Sequence, residues 1–244
     1  MIEAWFVSDI HIESMKDKKA RALLAFLNSL GQTRKATHLF LVGDIFDLWI
    51  GPHEFFVNKF EPIVERLKEL NQAGVQIHYF EGNHDLHLRK FWQGQIGIQV
   101  HAGPQRFQLG SLTVHVEHGD ESDPEDKGYL FLRWLLRTPP LTFLSHHLPE
   151  KAVSWIGDRA SHASRNYTSN TKTIAKENAI AKLHAHADRV FSTEPFDLLV
   201  NGHVHVRDEY KTKDFTAINL GTWLESPAAL HLSHESWEFV ELNE

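Results

Sequence analysis

Polar residues of the kind that bind metal ions or move protons stand five times at, or just past, the end of an apolar run. They are Asp9 and His11 in SDIH, Asp44 in VGDIFD, Asn83 in EGNHD, His118 in EHGD, and His203 with His205 in NGHVH. Residues two apart on extended chain point to the same side, so Asp9 is expected to share a side with His11, and His203 with His205. Gly43, Gly82, Gly119 and Gly202 lie beside four of the five groups and allow close backbone approach. The set offers oxygen and imidazole nitrogen but no sulfur, which suits Mn²⁺, Mg²⁺, Fe²⁺ or Zn²⁺. Seven ligands are too many for one ion that must leave room for a substrate. They suit two ions that share a carboxylate, held roughly 3.5–4 Å apart, as in phosphoryl chemistry. Any one group alone reads as a turn residue or a satisfied strand-end histidine; all five in this order do not.

Such residues need a frame that gathers them, and open α/β sheets collect their sites at the carboxyl ends of strands. Strands are expected over residues 2–8, in THLFLVGD and in VQIHYFEGN. Amphipathic helices are expected over 16–30, closed by Gly31, and over about 54–73, stopped by Gly74. Short strands follow between 97 and 117, with SLTVHVEHGD the clearest, and 125–190 reads as mostly helix. FDLLVNGHVH, TAINLG and ALHLSHESWEFVEL return to strand. The alternation predicts an α/β fold, one domain over residues 1–244, with a helical cap inserted at 125–190.

Composition narrows the function. A net charge of -7 argues against a nucleic-acid footprint. The chain has no cysteine, which removes disulfides, thiolate nucleophiles and cysteine-based zinc sites and fits a reducing compartment. The N-terminal MIEAWFVSDIHIES lacks the basic and apolar regions of a signal peptide, and no run approaches ~18 apolar residues, so a cytoplasmic location is expected.

D-x-H, GD-x-x-D, GNHD, HGD and GH-x-H, in that order between Asp9 and His205, resemble the calcineurin-like metallophosphoesterases. The resemblance implies two packed mixed sheets flanked by helices, with a dinuclear site at their edge. It implies that Asp9, His11, Asp44 and His205 hold one metal, and that Asp44, Asn83, His118 and His203 hold the other, with Asp44 bridging. It also implies that His84 lies over the site as a proton donor, with Asp85 orienting it. Asp47 is expected outside the ligand set, with a helix start as its alternative role.

Within that family the chain is similar to the UDP-2,3-diacylglucosamine diphosphatase branch. VGDIFDLWIG, HGDESDPEDKGYLFLRWLLRTP and LPEKAVSWIGDRASHASRN carry the similarity. It implies hydrolysis of a nucleotide-sugar lipid with two divalent ions, Mn²⁺ first among them, and peripheral contact with the inner membrane. It also places Asp126 and Tyr129 near the sugar and phosphate of the substrate, with Asn83 and His84 of the wider family's motif beside them. In DRASHASRNYTSNTK, Arg159, Arg165 and Lys172 stand among hydroxyl and amide groups, a mix that suits phosphate and uridine contacts. That branch usually has arginine where this chain has His84. Two other functions share the motif set: a hydrolase of soluble nucleotides or phosphodiesters, and a non-catalytic scaffold, against which the full ligand set argues. From Tyr129 to Leu136 only Arg133 interrupts an apolar run, so this helix must cover extra core or offer apolar surface to acyl chains or a membrane. His146, His147, His184 and His186 are expected in structural or surface roles, without carboxylate partners, and ESDPED as a solvated acidic turn.

Overall fold

The computed structural model describes residues 2–149, 151–153, 155, 174–224 and 226–242. Strands β1 (Glu3–Val7), β2 (His38–Leu41), β4 (Gln76–Phe80) and β6 (Gln99–His101) run parallel in the first sheet. β12 (Ala228–Ser233) and β13 (Ser236–Glu241) extend it antiparallel, in the order β13-β12-β1-β2-β4-β6. The second sheet holds β7 (Gln105–Leu109), β8 (Leu112–Val116), β9 (Leu198–Asn201), β10 (Arg207–Lys211) and β11 (Thr216–Leu220), in the order β10-β11-β9-β8-β7. A short pair, β3 (Trp49–Ile50) with β5 (Asp85–Leu86), joins the two loops that carry Asp44 and His84.

The alternating side chains of β1 explain the layers. Ala4 and Phe6 enter the core between the sheets with Phe40, Val116, Val200 and Leu230. Trp5 and Val7 point the other way, into a core closed by Leu23 and Phe26 of α1 (Lys18–Ser29). Strands buried on both faces read as continuous apolar runs, which is why they were visible in the sequence. The expected helix over 54–73 is two: α2 (Glu54–Lys59) and α3 (Glu61–Gln72). Pro62 lies at the start of α3, where its missing N–H is harmless; inside one long helix it would break a hydrogen bond. A π-helix follows β5 at Arg89–Ile96.

The 125–190 stretch holds α4 (Lys127–Leu136), α5 (Pro139–His146) and most of α6 (Ile174–Thr193). α6 belongs to the sandwich: Ala187, Val190 and Phe191 pack on Phe196, Leu199 and Phe215, giving the second sheet its outer layer. Helices therefore flank both mixed sheets, as the motifs implied. α4 is turned inside out. Tyr129 and Arg133, four apart, bind the body of the protein, and Arg137 continues the line just past the helix. Phe131 and Trp134 are 61% and 62% exposed, and α4 has no buried residue. No helix among the described residues is long and apolar enough to cross a membrane.

Candidate metal centre

All seven expected ligand residues come together at the ends of β1, β2, β4, β8 and β9. They do not lie on extended chain, as their spacing suggested. Asp9, His11, Asp44, His203 and His205 all have positive φ, between 50° and 68°. Left-handed turns, not the pleat of a strand, aim the side chains inward; non-glycine residues in this region cost roughly 1–2 kcal/mol each. Packing holds the turns in place. The His203 amide donates to Asp9 Oδ2 at 2.8 Å across 194 positions. A Cβ on Gly82 would lie 2.7 Å from the Asp44 amide nitrogen and inside its carboxylate, and one on Gly202 would overlap Ser8 and Asp9.

Two groups of donors meet at Asp44. Its Oδ2 lies 3.9 Å from His11 Nε2 on one side and 3.6 Å from His118 Nε2 on the other. Asp9, His11 and His205 converge on the first side; Asp44, His118 and His203 form the second group. Asn83 Oδ1 joins the second, 3.3 Å from His118 Nε2 and 3.1 Å from His203 Nδ1. These residues fit divalent cations. His11 Nε2 and His205 Nε2 face each other at 3.1 Å, close enough for both to bind one cation. Asp9 Oδ1 is buried, 3.2 Å from His205 Nε2, without a well-formed hydrogen bond. His118 Nδ1 donates to the Val42 carbonyl at 2.9 Å, so its Nε2 is the nitrogen left for the centre.

The electrostatics agree with that fit. Burial pushes the Asp44 carboxyl up, but the charges of His118, His84 and His11 bring it well below its ordinary value. Burial likewise opposes ionisation of Asp9, and His205 and His118 bring it net downward. Burial lowers His11 to about 4 and also lowers His203, so both present neutral nitrogens near pH 7. His118 and His205 are net raised by Asp44 and Asp9 despite burial, the mark of a negative field that favours a cation.

His84 lies where expected and its partner does not. The ring stands edge-on to His11 at 4.7 Å, and its Nδ1 donates to the Asp47 carbonyl at 2.8 Å. A ring nitrogen of His84 also lies within 4.8 Å of a ring nitrogen of His11 and of a carboxylate oxygen of Asp44. Asp85 does not orient His84. It is fully buried and accepts from the amides of Asp44, Ile45 and Gly82 at 2.8–3.0 Å and from the Tyr79 hydroxyl at 2.8 Å. Burial, then the Asp44 charge, pushes its pKa up to about 6. Its work is to tie the Asp44 loop to the 82–85 loop. Asp47 starts no helix; its backbone carbonyl holds His84.

Tyr129 reaches the rim, its ring 6.0 Å from that of His203. Asp126 is exposed and caps α4, accepting the Tyr129 amide at 2.9 Å. Arg159, Arg165 and Lys172 lie outside the described residues. His184 and His186 do have carboxylate partners, contrary to expectation: Asp208 at 2.7 Å and Glu117 at 2.6 Å dock α6 on the second sheet. Sequence reasoning missed Asp120, a buried acid whose Oδ2 accepts from both the Tyr129 hydroxyl at 2.8 Å and Arg133 Nε at 2.7 Å. The signal was Arg133 itself, since a cation inside the apolar run 129–136 needs an acid elsewhere.

Comparison with known proteins gives this arrangement its context. The profile described as calcineurin-like phosphoesterase matches residues 2–207, which include every residue of the centre. The chain belongs to that family. Among curated members it is similar to the UDP-2,3-diacylglucosamine hydrolase of Pseudomonas syringae pv. tomato, 31% identical over 201 residues, or 82% of this chain and 77% of the relative. A protein of the same name from Histophilus somni strain 129Pt is 24% identical over 98% of this chain and 100% of its own. A solved archaeal phosphodiesterase shares the fold with a TM-score of 0.51 and 14% identity, over 99% of this chain and 100% of that one. The calcineurin-like sandwich accounts for the element order and for the gathering of ligands at its edge.

Proposed function

We propose that the protein hydrolyses the pyrophosphate of UDP-2,3-diacylglucosamine to UMP and 2,3-diacylglucosamine 1-phosphate, using two divalent cations. The observation that carries this reading is the Asp44 carboxylate, shared between two groups of nitrogen and oxygen donors. Asp9, His11, Asp44 and His205 hold one ion; Asp44, Asn83, His118 and His203 hold the other. The donors contain no sulfur, and Mn²⁺ is the first choice among Mn²⁺, Mg²⁺, Fe²⁺ and Zn²⁺. When bound, the ions supply Lewis acidity to the phosphoryl oxygens and make water acidic enough to attack at neutral pH. His84 is the proton donor. Its Nδ1–H is fixed on the Asp47 carbonyl, so Nε2 is the atom that delivers a proton to the leaving phosphate oxygen.

Two supports favour a lipid-linked substrate. Relatives named UDP-2,3-diacylglucosamine hydrolase align over most of the chain. The inverted α4 also keeps aromatic surface in solvent, which acyl chains would cover at ~0.8 kcal/mol per buried methylene. In this reading the helices before α6 form the cap. Asp126 and Tyr129 are the contacts to the sugar and phosphate, the residue types of Arg159, Arg165 and Lys172 suit phosphate and uridine, and the apolar face of α4 gives a cytoplasmic enzyme peripheral contact with the inner membrane.

The test is turnover of synthetic UDP-2,3-diacylglucosamine beside UDP-glucosamine by the metal-loaded enzyme. The diacyl substrate is expected to win clearly. Preference for the chain-free sugar would refute the lipid reading and promote a soluble nucleotide substrate. Inactivity of fully loaded protein on both, and on a chromogenic phosphodiester, would refute hydrolysis.

A further inference from the structure

A cleft of about 530 Å³ opens between the start of the π-helix and α5. Glu81, His87, Arg89, Lys90, Arg137 and His146 form its wall. Its volume lies within the range of small-molecule sites. Three permanent cations face one carboxylate here, in a chain whose net charge is -7. The positive field is therefore local. Arg89 and Lys90 stand exposed at the rim. Arg137 lies deeper: a terminal nitrogen donates to the Gly82 carbonyl at 3.0 Å, while Nε is buried without a hydrogen-bond partner, 3.8 Å from Glu81. His146 Nε2 is also buried and unpartnered.

The lining acid balances only part of this charge. Glu81 accepts the Leu88 amide at 2.9 Å and lies 3.8 Å from Arg137 Nε, which leaves the charges of Arg89 and Lys90. His87, lowered by burial to about 4, is neutral near pH 7 and faces Thr142 Oγ1 at 3.3 Å. Two exposed cations, Arg89 and Lys90, beside an acid already engaged select an anion; a guanidinium fork with an ammonium suits the oxygens of a phosphate. Ala102 adds an apolar patch to the wall. α5 supplies Thr142 and His146 to it, and Phe143, next to Thr142 in the chain, is 66% exposed.

We propose that this cleft binds a phosphate group carried on an amphiphile, at a site distinct from the candidate metal centre. The two are divided by the 81–83 segment, with Glu81 lining the cleft and Asn83 facing the centre. The inference stands on the residues of the cleft and is independent of the substrate proposed above.

Calorimetric titration of the metal-loaded protein tests it with three probes: octyl phosphate, glycerol 3-phosphate and the neutral octyl glucoside. Octyl phosphate should bind most tightly. The double variant Arg89→Gln/Lys90→Gln should lose about tenfold per charge in affinity for it, with unchanged hydrolysis of a chromogenic diester where the wild type hydrolyses one. Wild-type affinity in that variant, or equal binding of octyl glucoside, would overturn the anion site. Equal binding of glycerol 3-phosphate would overturn the amphiphile. Octyl phosphate binding that is lost in Asp44→Asn and kept in the double variant would place the ligand at the metal centre and overturn the proposal. The readout is binding, so failure of the hydrolase reading leaves this test standing.

Discussion

Asp120→Ala should release α4 without unfolding the sandwich. Asp120 is 6% exposed, and its Oδ2 is the anchor for two side chains one helical turn apart, Tyr129 and Arg133. Hydrogen bonds to a charged group contribute ~1.5–3 kcal/mol each, so the pair is worth about 3 kcal/mol or somewhat more. The loss stays near the lower figure because Arg133 keeps Glu121 at 2.6 Å and the Ala102 carbonyl at 3.3 Å. Nothing in the apolar core replaces it, since α4 contributes no buried residue. About 3 kcal/mol is on the order of a hundredfold in an opening equilibrium. Amide hydrogen exchange within 127–137 should therefore accelerate roughly a hundredfold, while amides of β1, β2 and β9 exchange as before. Wild-type exchange in α4 would refute the anchoring argument. Equal acceleration in the central strands would show that Asp120 supports the whole fold.

Asp44→Ala should abolish most turnover and lower metal content at both positions, as measured by elemental analysis; full occupancy with normal rate would remove the bridging role. His84→Ala should keep both metals and lose ~10²–10⁴-fold in rate on substrates with poor leaving groups, and an unchanged rate would make the histidine incidental. Glu117 should shape the acid limit of stability. Burial raises its carboxyl, but hydrogen bonds from His115 and His186 bring it net down to about 2 from 4.5. A folded value below the unfolded one means the stabilisation is complete above pH 4.5 and is lost as pH falls toward 2. It is at most on the order of 3 kcal/mol. Glu117→Gln should flatten the fall of the urea midpoint between pH 5 and 3; the same slope as wild type would exclude Glu117 as its source.

The amino-acid sequence by itself settled the donor types, their order along the chain and the strands that deliver them. These are local properties: an apolar run marks a buried strand wherever its neighbours lie, and a polar residue at its end is already placed at the sheet edge. Only the tertiary structure decided what those residues touch. His84 and Asp47 are 37 positions apart, Asp44 and Asp85 41, and His203 and Asp9 194; sheet order, which no local pattern encodes, brings each pair together. Adjacency in sequence linked Asp85 to His84, whereas the fold turned Asp85 inward to four donors. Spacing suggested extended chain at Asp9–His11 and His203–His205, whereas packing imposed left-handed turns. For α4 the apolar run was plain, but periodicity gives a helix two faces without saying which one meets the protein. Asp120 decided that, by binding the Tyr129–Arg133 side and leaving Phe131 and Trp134 to solvent.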